Sequence, residues 1–132
     1  KTFGTLKSAK KGIHIINSHY VTTEHVNLKH NYSVFENYLK QLSKFSEFIN
    51  LEEATSKILN SDLCKDKVSI AFTFDDGFEE CYTVIAPLLE KYNCRGTFFI
   101  NSNYIGSNKE YQNGFNDRVA NSAKNQCHGT KL

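Results

Sequence analysis

An α/β fold, with strands and helices alternating around a parallel sheet or barrel, is what the sequence predicts, on three observations. Strand-like apolar runs occur at residues 13–16, 68–74 and 97–100, the second of them alternating with a period of two. Between them lie stretches whose apolar residues fall three and four positions apart, the spacing of a helix face. The whole is 132 residues with 39% hydrophobic and 23% charged side chains, one ordinary domain able to bury about 68% of its extended surface.

In chain order, Lys1 to Lys11 is polar, basic and aperiodic, which suggests a flexible lead-in. Structure begins at Gly12. Ile13, Ile15 and Ile16 form a β-branched run ending at Asn17-Ser18, long enough for one buried strand and too short for a helix. His19-Tyr20-Val21 leaves that strand, and Thr22 to Asn31, polar and without period, reads as a loop. Ser33 with Glu36 makes a capping box, and Phe35, Tyr38, Leu39, Leu42 and Phe45 then share one helical face. Asn50 with Glu53 repeats the start signal, and Leu51, Ala54, Ile58 and Leu59 carry a shorter helix towards Asn60. Phe48-Ile49 between the two helices suits a brief strand, and Asp62 to Lys67 is a polar connector.

The clearest strand follows, where Val68, Ile70, Phe72 and Phe74 alternate with Ser69, Ala71 and Thr73. It runs into Asp75-Asp76-Gly77, after which Phe78, Tyr82, Ile85, Leu88, Leu89 and Tyr92 return to helical spacing. Pro87 lies inside that helix and lacks the N–H its fourth-preceding carbonyl needs, so a kink is expected there. Asn93 to Gly96 turns the chain into the strand Thr97-Phe98-Phe99-Ile100. Beyond Asn101 the composition shifts to Asn, Ser, Gly, Lys and Tyr without a strong apolar period, and there is no internal repeat or second domain.

Composition narrows the function classes. A net charge of +2, with scattered basic residues, is too weak a field to argue for nucleic acid. No stretch approaches the roughly 20 apolar residues needed to cross a bilayer. Cys64, Cys81, Cys94 and Cys127 include no Cys-x-x-Cys pair to clasp zinc or exchange dithiols, so free thiols are expected.

The acidic turn carries the chemistry. Adjacent carboxylates at the carboxyl end of a buried strand repel each other and both lose water, so their presence asks for a purpose. In parallel α/β architectures, ligands and catalytic groups collect outside those strand ends, and Asp75-Asp76 sits at one. Side chains diverge there, so one carboxylate can hold a metal while its neighbour faces a water, and Gly77 lets the backbone come close. Asp-Gly is also a strong hairpin dipeptide, but a hairpin needs a second strand, and residues 78–92 read as helix.

Thr73-Phe74-Asp75-Asp76-Gly77, preceded by a β-rich run and followed by Thr97-Phe98-Phe99, resembles the first motif and following strand of the polysaccharide deacetylase family of carbohydrate esterases. Ile16 to Val21 is similar to that family's first-strand segment with its His, and Phe35 to Ala54 to the helix and link before the motif, so the likeness is clearest over residues 12–105. The resemblance implies a partial, distorted (β/α) barrel, a divalent metal (often zinc), and hydrolysis of N-acetyl groups on an N-acetylglucosamine-type glycan. Carried over by position, Asp75 matches the general base that deprotonates the attacking water, Asp76 the carboxylate ligand of the metal, and His19 the first-strand His near the substrate pocket, while Phe98 and Phe99 belong to the core.

One departure goes with the match. The family's two His ligands come from a later His-x-x-x-His motif, whereas the histidine after the acidic turn is His128, with Leu132 four positions on. The chain is therefore expected to be the N-terminal part of a deacetylase domain, residues 12–132, with its site incomplete; His128 as first ligand of a degenerate copy is a minor variant. His14, His25 and His30 match no metal spacing and are expected to be solvated. The competing reading is a catalytically silent carbohydrate-binding or structural remnant that keeps the turn without completing the site.

Overall fold

Strand β3 (Val68–Asp75) organises the molecule, because it is buried along its length apart from the half-buried Asp75 at its end. The computed structural model describes residues 9–19, 21, 28–62 and 66–102. Strand β1 (Gly12–Ser18) runs parallel to β3 along one edge, in register from Gly12 opposite Val68 to Ser18 opposite Phe74. The other edge is divided between β2 (Glu47–Phe48), which pairs with Ser69 and Ile70, and β4 (Thr97–Phe99), which pairs with residues 73–75. All these pairings are parallel, so helices make the crossovers: α1 (Leu28–Leu42), α2 (Leu51–Leu59) and, after a π-helical stretch over Cys81–Ile85, α3 (Ala86–Lys91).

The alternation along β3 has a packing cause, since both of its faces are covered. Val68, Ile70, Phe72 and Phe74 face a large core with Phe35, Leu39 and Leu42 of α1 and Cys81, Val84, Ile85, Leu88 and Leu89 beyond the acidic turn. Phe72 and Phe74 stack at 6.4 Å, Phe35 meets both edge-on, and Phe98 stacks on Phe74 at 5.2 Å. The opposite face carries small residues, and there Ala71 packs with Ile49 and with Ala54 of α2. Each large side chain fully buried in this way contributes about 1.5–3 kcal/mol.

Several expectations need correction. Helix α1 has begun by Leu28, so residues 28–31 are helical rather than loop. That turn is solvent-facing and polar, which hid its period, and Asn31 is tied to Glu80 instead of to an apolar stripe. Ser33 is no cap; it lies within α1 and its hydroxyl donates back to the His30 carbonyl at 2.8 Å. The brief strand is Glu47–Phe48, one residue early, and Ile49 donates its N–H to the Ile70 carbonyl. Helix α2 starts as expected, with Asn50 Oδ1 accepting from the Glu53 N–H at 2.7 Å, but its stripe ends at Ala54, and Ile58 and Leu59 are exposed.

The sequence places Pro87 inside a single helix with a kink; the structure has a π-helical stretch just upstream of it, closed by the Ala86 N–H on the Cys81 carbonyl. Pro87 itself falls in the first turn of α3, where a missing N–H costs little. The buried stripe becomes Cys81, Val84, Ile85, Leu88 and Leu89, and Tyr82 stands 83% exposed. Ile15 is 46% exposed and Phe99 51%, so β1 is not fully buried and Phe99 is not core. The four-stranded sheet of the described residues is open, not a closed barrel. The lead-in up to residue 8, His25, Cys64, and the chain beyond residue 102 with Cys127 and His128, lie outside the described residues.

Candidate active site

Parallel pairing of β1 with β3 decides which residues can meet. With Asn17 opposite Thr73 and Ser18 opposite Phe74, the carboxyl ends of both strands open at the same level, and the residues that follow share one rim. Asp75 ends β3. Asp76 and Gly77 then both adopt the left-handed backbone region, at φ of +69° and +65°. Gly does so freely, whereas Asp tolerates it at a cost of about 1 kcal/mol, so the turn is held by its surroundings rather than by the preference of Asp76.

That backbone turns both carboxylates towards one histidine. His19 Nε2 lies 3.9 Å from Asp75 Oδ2 and 3.8 Å from Asp76 Oδ2, within ion-pair range and beyond hydrogen-bond length. All three side chains are partly open to solvent, the most enclosed being Asp75 at 31%. The structure thus brings His19, singled out in the sequence, to the adjacent Asp75 and Asp76, which lie 56 and 57 positions further along the chain.

A further pair of residues holds Asp75. Asn17 Nδ2 donates to Asp75 Oδ2 at 2.8 Å, and Thr73 Oγ1 donates to Asn17 Oδ1 at 3.0 Å. An ionised carboxylate only accepts, so the amide must present its NH2 to Asp75 and its oxygen to the Thr73 hydroxyl. The buried Thr73 therefore fixes the amide, and the amide fixes one carboxylate oxygen. Asn17 does not stand out in the sequence, and Thr73 enters only as the first residue of the acidic-turn motif. The only available signal was that Asn17 closes a β-branched run at the level where the acidic turn opens, which requires the register of two strands far apart in sequence.

The surroundings are built by other contacts. Glu80, just past the turn, accepts from the Val21 N–H at 2.8 Å and from Asn31 Nδ2 at 2.5 Å. A cavity of about 280 Å³ lies between β1 and α1 beside Asn17, lined mainly by apolar groups including Ile16, Val34, Phe35, Tyr38 and Phe72. Burial there pushes the Tyr38 hydroxyl's pKa above its usual value. His14 is engaged with the Lys10 carbonyl at 2.7 Å, and His30 lies exposed on α1. Cys81 and Cys94 are free, buried thiols.

Among the described residues, no group of three or more His, Cys, Asp or Glu side chains is disposed to hold a metal ion. A catalytic zinc takes three protein ligands and keeps one position open, so these residues do not by themselves build such a centre. No helix of the described residues is long and apolar enough to cross a membrane.

Comparison with known proteins gives this rim a context. The fold is similar to that of Streptococcus pyogenes deacetylase PplD, whose structure was solved in complex with acetate, at a TM-score of 0.54 and 23% sequence identity; the match covers 70% of this chain and 43% of that one. At that identity the likeness is one of fold. No curated protein matches the chain. Residues 62–130, which contain β3, the acidic turn and β4, match the family described as polysaccharide deacetylase. With more than half of its residues carrying that family's pattern around Asp75-Asp76-Gly77, the chain belongs to the polysaccharide deacetylase family.

Proposed function

We propose that this chain is the N-terminal part, over residues 12–132, of an enzyme that hydrolyses N-acetyl groups on an N-acetylglucosamine-type glycan. Asp75 is the general base, Asp76 the carboxylate ligand of a divalent metal of the zinc type, and His19 a lining residue of the substrate pocket. The observation that carries the reading is the hold on Asp75. Asp75 Oδ2 accepts from Asn17, which supports a role for its other oxygen in taking a proton from a water.

In that geometry Asp75 takes a proton from the water as its oxygen bonds to the acetamide carbonyl carbon. The C–N bond then breaks, the departing nitrogen takes up a proton, and acetate and a free amine are the products. A general base placed in this way contributes about 10²–10⁴-fold. A bound metal would polarise the carbonyl; Asp76 supplies one ligand, and the remaining ligands come from outside the described residues.

The test is acetate release from N-acetylated oligosaccharides by the full-length protein supplied with zinc, cobalt or nickel. Wild type should release acetate, and Asp75→Asn should reduce the rate by about 10²-fold or more with an unchanged fold. No release with metal present would favour a carbohydrate-binding or structural remnant.

A further inference from the structure

Glu80 has no assigned part in the acidic turn, yet its carboxylate joins three separate elements. It lies three residues beyond Gly77, at the start of the helical stretch that follows the turn. One oxygen, Oε2, accepts from the Val21 N–H at 2.8 Å, and the other, Oε1, accepts from Asn31 Nδ2 on α1 at 2.5 Å. Both bonds are partly buried, so they are stronger than a surface contact and costly to leave unmade.

The position of these bonds matters for the rim. Ser18 is fixed by its register opposite Phe74, and Val21 is tied to Glu80, so His19 belongs to a short span anchored at both ends. The helical stretch that carries Glu80 begins at Glu79, with Phe78 alone between it and the Asp76-Gly77 turn. The two carboxylates and the histidine are therefore set on one closed circuit of contacts: strand pairing, acidic turn, Glu80, Val21 and back to His19.

We infer that Glu80 is a positioning residue, which pins the chain leaving β1 so that His19 is held over Asp75 and Asp76. This rests on the deacetylase reading for its effect on rate, while the clamp itself can be measured without any turnover. The expected behaviour of the neighbouring amide supplies a control. Asn31 Oδ1 is buried and has no hydrogen-bond partner. If Glu80 becomes Gln, its oxygen can still accept from Val21 and its new NH2 can donate to Asn31 Oδ1 after the Asn31 amide turns over, so both bonds at position 80 are kept while Asn31 Nδ2 takes the unpartnered place that Oδ1 has now.

The experiment compares Glu80→Ala, Glu80→Gln and Asn31→Asp in the full-length protein by amide hydrogen exchange at Val21 and by kcat and KM for acetate release. Glu80→Ala should speed Val21 exchange by roughly tenfold or more and lower kcat by about tenfold, with a smaller change in KM. Glu80→Gln should remain within about threefold of wild type on both readouts, since both bonds are kept. Asn31→Asp sets two carboxylates face to face and should loosen Val21 as Glu80→Ala does.

Unchanged Val21 exchange in Glu80→Ala would overturn the inference, as would faster exchange with an unaltered kcat. Should Glu80→Ala fail to fold, a protected Val21 with a lost kcat in Glu80→Gln would overturn it equally. A wild type that releases no acetate overturns the deacetylase reading instead, and the exchange data then still decide whether the clamp exists.

Discussion

Removing the Asn17 side chain tests the site most directly, because Asn17 touches Asp75 without taking part in the proposed proton transfer. Asn17→Ala deletes the 2.8 Å bond to Asp75 and leaves the buried Thr73 hydroxyl with only the Ile16 carbonyl at 3.5 Å. A hydrogen bond to an ionised group contributes about 1.5–3 kcal/mol, and this one is exposed, so roughly 1 kcal/mol is a fair value. At about 1.4 kcal/mol per factor of ten, freeing Asp75 should lower kcat for acetate release roughly fivefold. KM should change less, because no substrate contact is removed. Asn17→Asp should fall further, since it replaces a donor with a second negative charge beside Asp75. The measurement is steady-state acetate release by both variants, with circular dichroism to check the fold. An Asn17→Ala protein with wild-type kcat would refute the idea that the orientation of Asp75 depends on this amide.

Three further outcomes concern the scaffold. Leu39→Ala, at a position with no solvent exposure between α1 and the sheet, should cost about 2–5 kcal/mol, read from urea unfolding. Hydrogen bonds from Lys67 and Ser69 hold the Glu47 carboxyl below its usual pKa, so this group adds stability above the ordinary carboxylate range that is lost as pH falls through its lowered folded value; Lys67→Ala should flatten that acid limb of a stability-versus-pH profile. Burial pushes the Cys81 and Cys94 thiols up to about 11, so peptide mapping after iodoacetamide treatment at pH 8 should find both unlabelled in the folded protein and labelled once it is unfolded.

Elements whose burial pattern matches a single period were legible in the sequence. The face of Phe35, Tyr38, Leu39, Leu42 and Phe45 does pack on the main core, and the Asn50 cap opens α2. The alternation along Val68 to Phe74 reads correctly as a strand, although a strand covered on both sides would ordinarily show a continuous apolar run. Here the small face of Ser69, Ala71 and Thr73 admits α2, while the aromatic face takes the larger helix layer. Reasoning by period failed where tertiary contacts replaced it. The first turn of α1 is polar and outward-facing, and the π-helical stretch shifts the phase so that Tyr82 leaves the buried face.

At the rim, the Asp75-Asp76-Gly77 tripeptide announced itself because two neighbouring acids after a buried strand are unusual enough to need a reason. Asn17 and Glu80 did not, and Thr73 entered only as the first residue of the motif, without its bond to Asn17. Their roles follow from strand register and from contacts between residues 49 to 59 positions apart, which no local pattern encodes.

The division of β3 between β1 on one edge and two short strands on the other has a kinetic consequence. Asn17 and Thr73 come from strands separated by more than half of the chain's described length, so the loop between them must close before the amide can reach Asp75. Non-local parallel pairing of this kind is slow to form. A chain in which residues 66–102 have collapsed but β1 has yet to dock would therefore already display its pair of acids, unsteered. The bond from Asn17 that holds Asp75 can form only once β1 has docked, so a fixed Asp75 marks the pairing of β1 with β3.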